Sequence, residues 1–310
     1  VALLVRDELP VALREEIHAM PFKDFFLATS FQRLERLIAR DHPGVGEMGR
    51  TIAYLHPNRP ERAFVLIHGM SASPAQFDRV ARDLFARGHN VLVPRLPRHG
   101  HADPLSTALE RLHPDDLYEA VADYVAIARE LGDRVTVAGF SLGGLLTAWI
   151  AQYYEIERAV PIAPFFGISV IPNRLMSTVA EQLLRMPNRF HWWNPILRER
   201  RVSVTGYPRY TTHAIAHSYR IARTLLDEAQ TNRPLAEHVT IVANATEVAV
   251  NNYAIRKLYK SWRRLRPGSI DMARITGLPL SHDIVSPLRP WGLADRAHPH
   301  ILRAIDPSPT

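Results

Sequence analysis

The stretch RVTVAGFSLGGLLTAWIAQ, from Arg134 to Gln152, constrains the fold more than any other part of the chain. Its first half is an apolar run of the kind found in a strand buried on both faces. Its second half is apolar throughout, as in a helix covered on every side. Between them stands one serine, Ser141, with Gly139 and Gly143 two positions away on either side. A strand that passes directly into a helix must turn so sharply that side chains at those two positions collide, and the turn holds the serine strained with its hydroxyl exposed. The helix beginning at Leu142 aims its first amides at the same point, where they stabilise negative charge. The five-residue pattern alone arises by chance in about one chain of this length in ten. The strand before it and the helix after it are what give it weight.

The chain has 310 residues, 46% of them hydrophobic, enough for one large domain or two smaller ones. No apolar run reaches the roughly 18–20 residues of a membrane span. The longest, from Val135 to Ile150, is interrupted by Gly139, Gly143 and Gly144, so no stable membrane insertion is expected. The absence of cysteine excludes disulfides, thiolate metal sites and a cysteine nucleophile. The 38 basic and 31 acidic residues leave a formal charge of +7, and the basic residues are scattered. The one dense run, KSWRRLR from Lys260, reads as a solvated helix face and not as a nucleic-acid surface. The chain opens on Val1 and not on Met, which leaves room for a removed leader. The cytoplasm is the favoured compartment, and the oligomeric state is left open.

Alternation of strands and helices organises most of the chain. RAFVLIHG, HNVLVPRL, RVTVAGF, RAVPIAP, HVTIVANA and SIDMARITGL read as strands. Helices are expected near Pro74 to Arg87, over Pro114 to Leu131 and from Leu142. This rhythm predicts an α/β chain with a mainly parallel sheet covered on both sides. It breaks after Pro164, where amphipathic segments, aromatic residues and five prolines replace a single crossover helix. The expected organisation is therefore a helical segment and first strand over 1–60, an α/β core over 61–164 and 237–310, and an inserted helical cap over 165–236. A last short helix is expected after Pro287.

A serine hydroxyl is a poor nucleophile near neutrality and needs a general base. His282, in GLPLSHDIVSP, follows the last predicted strand and is the candidate, with His298 and His300 in reserve. The base needs a carboxylate to fix its tautomer and stabilise its charged form. Glu247 stands just past the strand HVTIVANA. Asp283 adjoins His282 too closely to bridge its ring, and Asp271 lies at the wrong end of its strand. Two amides are needed to hold an oxyanion. The N–H of Leu142 supplies one, and that of Met70, after the turn at Gly69, supplies the other. His68 is expected to brace this loop. The order Ser141, Glu247, His282 is the serine–acid–histidine order of one fold.

With these residues in hand, the segments LIHGMSASPAQF, PRLPRHG, GFSLGG, VANATEVAVNN and LSHDIV resemble the α/β-hydrolase superfamily from about Arg62 to Ser286. HGMSASPAQF looks like the corresponding segment of bacterial carboxylesterases and monoacylglycerol lipases. The resemblance implies an α/β-hydrolase fold with a helical cap insertion, and hydrolysis of carboxylic esters through an acyl-serine intermediate without metal or organic cofactor. It carries the nucleophile to Ser141, the oxyanion donors to Met70 and Leu142, and the base to His282. Those enzymes usually have Asp where this chain has Glu247.

The insert follows the strand next to the nucleophile and is expected to cover the site. Its Phe165, Phe166, Trp192, Trp193 and Tyr210 are candidates for a substrate pocket, with the core of the insert itself as the competing role for each. His99 and His101 lack a third ligand at metal spacing. The expected partner is a small-molecule ester. The same three residue types also serve thioester, amide or C–C cleavage, acyl transfer and perhydrolysis, and a binding protein that keeps the pocket is the non-enzymatic alternative.

Overall fold

A computed structural model of the chain describes residues 32–169, 171, 173–196, 206–287 and 293–307. Of the expected N-terminal helical segment, residues 32–39 are helical and 1–31 lie outside the described residues.

Seven strands form one sheet: β1 (Ile52–Tyr54), β2 (Arg62–Ile67), β3 (Asn90–Val93), β4 (Arg134–Phe140), β5 (Arg158–Ile162), β8 (His238–Asn244) and β9 (Ile270–Ile275). Their order across the sheet is β1-β3-β2-β4-β5-β8-β9. Only the pair β1–β3 is antiparallel. The central strands are apolar because both their faces are covered: Val65, Leu66, Ile67, Leu92 and Val137 have no accessible surface.

The helices between strands are α1 (Asp78–Ala86), α2 (Pro114–Leu131), α3 (Leu142–Tyr153) and α6 (Asn252–Leu265), and α7 (Leu293–Ile305) closes the chain. Ties between them mark two layers. His298 on α7 contacts Asp83 on α1 at 2.6 Å. On the other face Trp262 of α6 donates to Gln152 of α3 at 2.7 Å, and α2 packs on α3. Helix α2 begins where its sequence dictates. Pro114 opens it, the His113 ring accepts from the Asp115 amide, and the Asp116 carboxylate accepts from the His113 amide. The basic run from Lys260 lies on the solvent side of α6, with Trp262 turned inward. The last helix is longer than expected and runs through Pro299.

Between β5 and β8 the chain forms α4 (Asn173–Arg185), β6 (Phe190–Trp192), β7 (Arg209–Thr211) and α5 (Thr212–Glu228). The insert was expected to be helical, yet β6 and β7 pair as an antiparallel ribbon, Phe190 opposite Thr211 and Trp192 opposite Arg209. Aromatic and β-branched side chains suit a pleated surface, and the Arg209 guanidinium covers the Phe190 ring at 4.4 Å. Helix α5 packs on α4, α3 and α2, and Tyr207 bonds the loops after β2 and β3, at the C-terminal ends of those strands. In open sheets of this kind ligands bind at that end.

Candidate active site

Ser141 stands between β4 and α3 with φ 54° and ψ −110°. A non-glycine residue with positive φ in this region costs on the order of 1–3 kcal/mol and persists only where its surroundings enforce it. Here main chain enforces it. The Ser141 amide donates to Ile162 O at 3.0 Å, and its carbonyl accepts from the amides of Leu145 (2.9 Å) and Phe165 (3.0 Å). The flanking glycines do what the sequence required. A Cβ at Gly139 would run into the Gly143 carbonyl, and a Cβ at Gly143 into the Ile67 carbonyl of β2. The strand-to-helix turn therefore packs backbone against backbone, and only the serine side chain has room to project.

His282 lies after β9 and reaches Ser141 from the next-but-two strand. Its Nε2 is 2.8 Å from Ser141 Oγ, and its Nδ1 is 2.9 Å from Glu247 Oε2. With a carboxylate facing Nδ1, the proton belongs on Nδ1 and the Nε2 lone pair accepts the serine hydroxyl. The imidazole also packs on the Phe140 ring, with centroids 4.8 Å apart.

Glu247 is fully buried at its side chain. Its Oε1 turns back on its own loop and accepts amides from Val248 (2.8 Å), Ala249 (2.7 Å) and Val250 (3.4 Å). The extra methylene of glutamate thus serves the geometry, because it lets one oxygen occupy a nest of amides while the other meets the imidazole. Burial on its own pushes the carboxyl up. The hydrogen bond and charge of His282, with the Ala249 and Val250 amides, outweigh it and hold the group below its ordinary 4.5.

Two loops complete the surroundings. After β2, His68 accepts the Leu96 amide at Nε2 (3.1 Å) and contacts its neighbour Gly69 O through Nδ1 (2.9 Å), so it braces the loop as expected. The Gly69 amide donates to Gln76 Oε1 at 2.9 Å, and Met70, partly buried, follows. At the end of β8, Asn244 Nδ2 donates to the carbonyl of Ser281, the residue before His282, at 2.8 Å. Its Oδ1 accepts from the Thr246 amide (3.1 Å) and hydroxyl (3.0 Å), and that hydroxyl also lies 2.9 Å from Leu278 O. Neither Gln76 nor Asn244 was singled out from the sequence. Both lie inside the segments that carried the motif, but a single amide side chain there has no periodicity to mark it.

The reserve residues go elsewhere. His298 is occupied by Asp83, His300 is exposed on α7, and Asp271 stands opposite Thr240 within the sheet. Asp283 accepts from the amides of Val285 and Ser286. His99 is buried edge-on against His68, with centroids 5.2 Å apart, and burial pushes it down to about 4. Among the described residues no group of three or more histidine or carboxylate side chains is arranged to hold a metal. None of their helices is long and apolar enough to cross a membrane.

The pocket candidates divide. Phe165 meets the site through its amide, which donates to Ser141 O. Phe166 has no accessible surface and belongs to the core. Trp192 lies beside Arg209 on the ribbon, 5.8 Å from guanidinium to ring. Trp193 and Tyr210 pack on each other at 4.2 Å, and Trp193 Nε1 donates to Ser71 Oγ at 2.7 Å.

The profile of the Alpha/beta hydrolase family matches residues 64–308. The chain belongs to the alpha/beta hydrolase family. In sequence it is similar to a thermostable monoacylglycerol lipase of Bacillus sp. (strain H-257), 28% identical over 109 residues. That alignment spans 34% of this chain and 42% of the lipase, less than half the relative's length. In structure it is similar to a monoacylglycerol lipase of Paleococcus ferrophilus, at 18% identity and a TM-score of 0.61, over 82% of this chain and 97% of that one. It is also similar to a soluble variant of the monoglyceride lipase of Saccharomyces cerevisiae, at 14% identity and a TM-score of 0.65, over 84% of this chain and 92% of that one. At these identities the solved structures speak for the fold.

Proposed function

We propose that this alpha/beta hydrolase cleaves carboxylic esters through an acyl-serine intermediate. The observation that carries the reading is the continuous relay from Ser141 Oγ through His282 to Glu247, with steps of 2.8 and 2.9 Å. Ser141 Oγ attacks the ester carbonyl as His282 Nε2 takes its proton. The carbonyl oxygen becomes an oxyanion held by the amides of Leu142 and Met70. His282 then protonates the leaving alcohol, and the acyl group stays on Ser141. A water gives its proton to His282 and attacks the acyl carbon, and collapse of the second oxyanion releases the acid and restores the serine hydroxyl. Glu247, ionised and anchored by its amides, keeps the proton on Nδ1 and stabilises the imidazolium in both halves. The insert over 165–236 acts as a cap over the acyl site. Monoacylglycerols, named for the lipases above, are the first esters to try.

The test is intact mass after incubation with a fluorophosphonate, run on the folded wild type and on Ser141→Ala. One adduct on the wild type, lost in the variant, supports the reading, and turnover of a p-nitrophenyl ester by the variant should fall by several orders of magnitude. A folded wild type that takes no adduct overturns it and favours a binding protein.

A further inference from the structure

The turn after β2, which carries Met70, is fastened to the insert by more than contact. Ser71 has φ 57°, in the left-handed region that a serine adopts only when held there. Its carbonyl accepts the Tyr207 amide at 2.7 Å. Gly206, just before Tyr207, lies so close to that carbonyl that a Cβ would run into it. Its hydroxyl donates to Met70 O at 2.6 Å and in turn accepts the Trp193 indole N–H at 2.7 Å. Trp193 follows β6 and packs at a tilt on Tyr210 of β7, so the donor is oriented by the ribbon itself. Tyr207 then ties a second core loop, its hydroxyl accepting the His101 amide at 2.9 Å.

We infer that Trp193 is a positioning residue: through Ser71 it sets the peptide at Met70, so that the insert completes the oxyanion site as well as covering it. The physical reason is that the strained Ser71 conformation lies outside any strand or helix, in a turn closed within the core by one bond, Ala72 amide to Gly69 O at 3.1 Å. Its carbonyl and its hydroxyl are both held by residues of the insert. A tilt of the Met70–Ser71 peptide turns the Met70 amide away from the place where the oxyanion forms, and such donors act only when aimed beforehand. This assignment rests on the hydrolase reading and on Met70 as an oxyanion donor. It moves Trp193 from a wall of the acyl pocket to the support of the reaction centre.

The test compares Trp193→Phe, which keeps the ring on Tyr210 but removes the donor, with Ser71→Ala and with the double variant. Each is checked for folding by circular dichroism, and either single variant reads the same bond from one side. Two quantities are measured: kcat and KM on a p-nitrophenyl ester, and the Kd of phenylboronic acid. When that acid adds to Ser141 Oγ, the serine proton passes to His282 and the boron becomes tetrahedral and anionic with one hydroxyl oxygen at the oxyanion position, so its affinity reports the oxyanion site. The expected result is a kcat lower by about tenfold with KM within about twofold, and a Kd for the boronic acid raised by about the same factor as kcat falls. The double variant should be no worse than Ser71→Ala alone, which already removes the Trp193 bond together with the hydroxyl's donation to Met70 O. A raised KM with unchanged kcat would make Trp193 a pocket wall and overturn the inference. So would wild-type behaviour of Trp193→Phe in an enzyme that depends on Ser141, which leaves the hydrolase reading standing. A wild type inert toward esters and fluorophosphonate overturns both.

Discussion

The two ends of the relay are held by different materials. At the proposed nucleophile end, the backbone of Ser141 is fixed by main chain: the Ile162 carbonyl, the amides of Leu145 and Phe165, and two glycines that bring α3 against β2 and close the turn on β4. At the proposed acid–base end, beside β8 and the edge strand β9, side chains do the fixing. Asn244 ties the His282 loop to β8, Thr246 ties it again, and Glu247 anchors itself on its own loop. Backbone packed on backbone has one arrangement or none. A loop tied by side chains can lose one tie and keep the rest. The nucleophile end should therefore fail abruptly and through the fold, and the acid–base end by degrees and through the chemistry.

The largest expected effect breaks the first half of that contrast. In Gly143→Ala the new methyl meets the Ile67 carbonyl, and neither backbone can yield without separating α3 from β2. Overpacking of a rigid contact costs roughly 3 kcal/mol or more. The variant should unfold at a clearly lower denaturant concentration or fail to fold. If it keeps the wild-type midpoint, the main chain at this turn is not as rigid as the comparison requires.

How much was legible follows the same division. The alternation of strands and helices, the turn at Ser141 and the meeting of Glu247 and His282 with it were open to reading because each obeys a local rule: period, glycine spacing, and position just beyond a strand end. Glu247 was the least expected of the three, since the longer side chain must bend to reach the imidazole. The structure supplies the reason that it fits, three amides that hold its second oxygen. Long-range ties left no such trace. Nothing in the local pattern around Asn244 announces a partner at Ser281, and nothing in FHWWNP says that Phe190 will pair with Thr211 across an insert. The two roles weighed for the pocket candidates could not be separated for a related reason. Aromatic content gave hydrophobicity but not direction, so Phe166 in the core and Trp193 on Ser71 looked alike.

A smaller effect is expected at Asn244, which tests the second half of the contrast. Asn244→Ala removes the donor to Ser281 O and the acceptor for Thr246 while leaving Ser141, His282 and Glu247 in the chain. Loss of such a buried bond costs about 1–3 kcal/mol where its partner is left unsatisfied. The protein should stay folded, with kcat reduced by about tenfold through a less well-held imidazole. Asn244→Asp keeps the acceptor but not the donor to Ser281 and should recover little. A kcat equal to wild type in Asn244→Ala would mean that Thr246 and the loop alone position the base.

The smallest effect separates the two ends by pH. Among the described residues no ionisable group bonds the main chain of Ser141, whereas Glu247 is ionisable and its carboxyl is held below its ordinary 4.5. A carboxyl whose folded value is depressed contributes stability in full above the unfolded value. As pH falls below about 4.5 the unfolded chain takes up the proton first, and the contribution drains away until the lower folded value is passed. Glu247→Gln carries no such proton. Its melting temperature should therefore lie below that of the wild type near neutrality, and the gap should narrow as the pH is lowered through that window. Other carboxylates titrate over the same range, but they are common to both proteins and cancel in the difference. Two melting curves that run parallel from pH 7 to pH 3 would mean that the charge of Glu247 contributes nothing to folding.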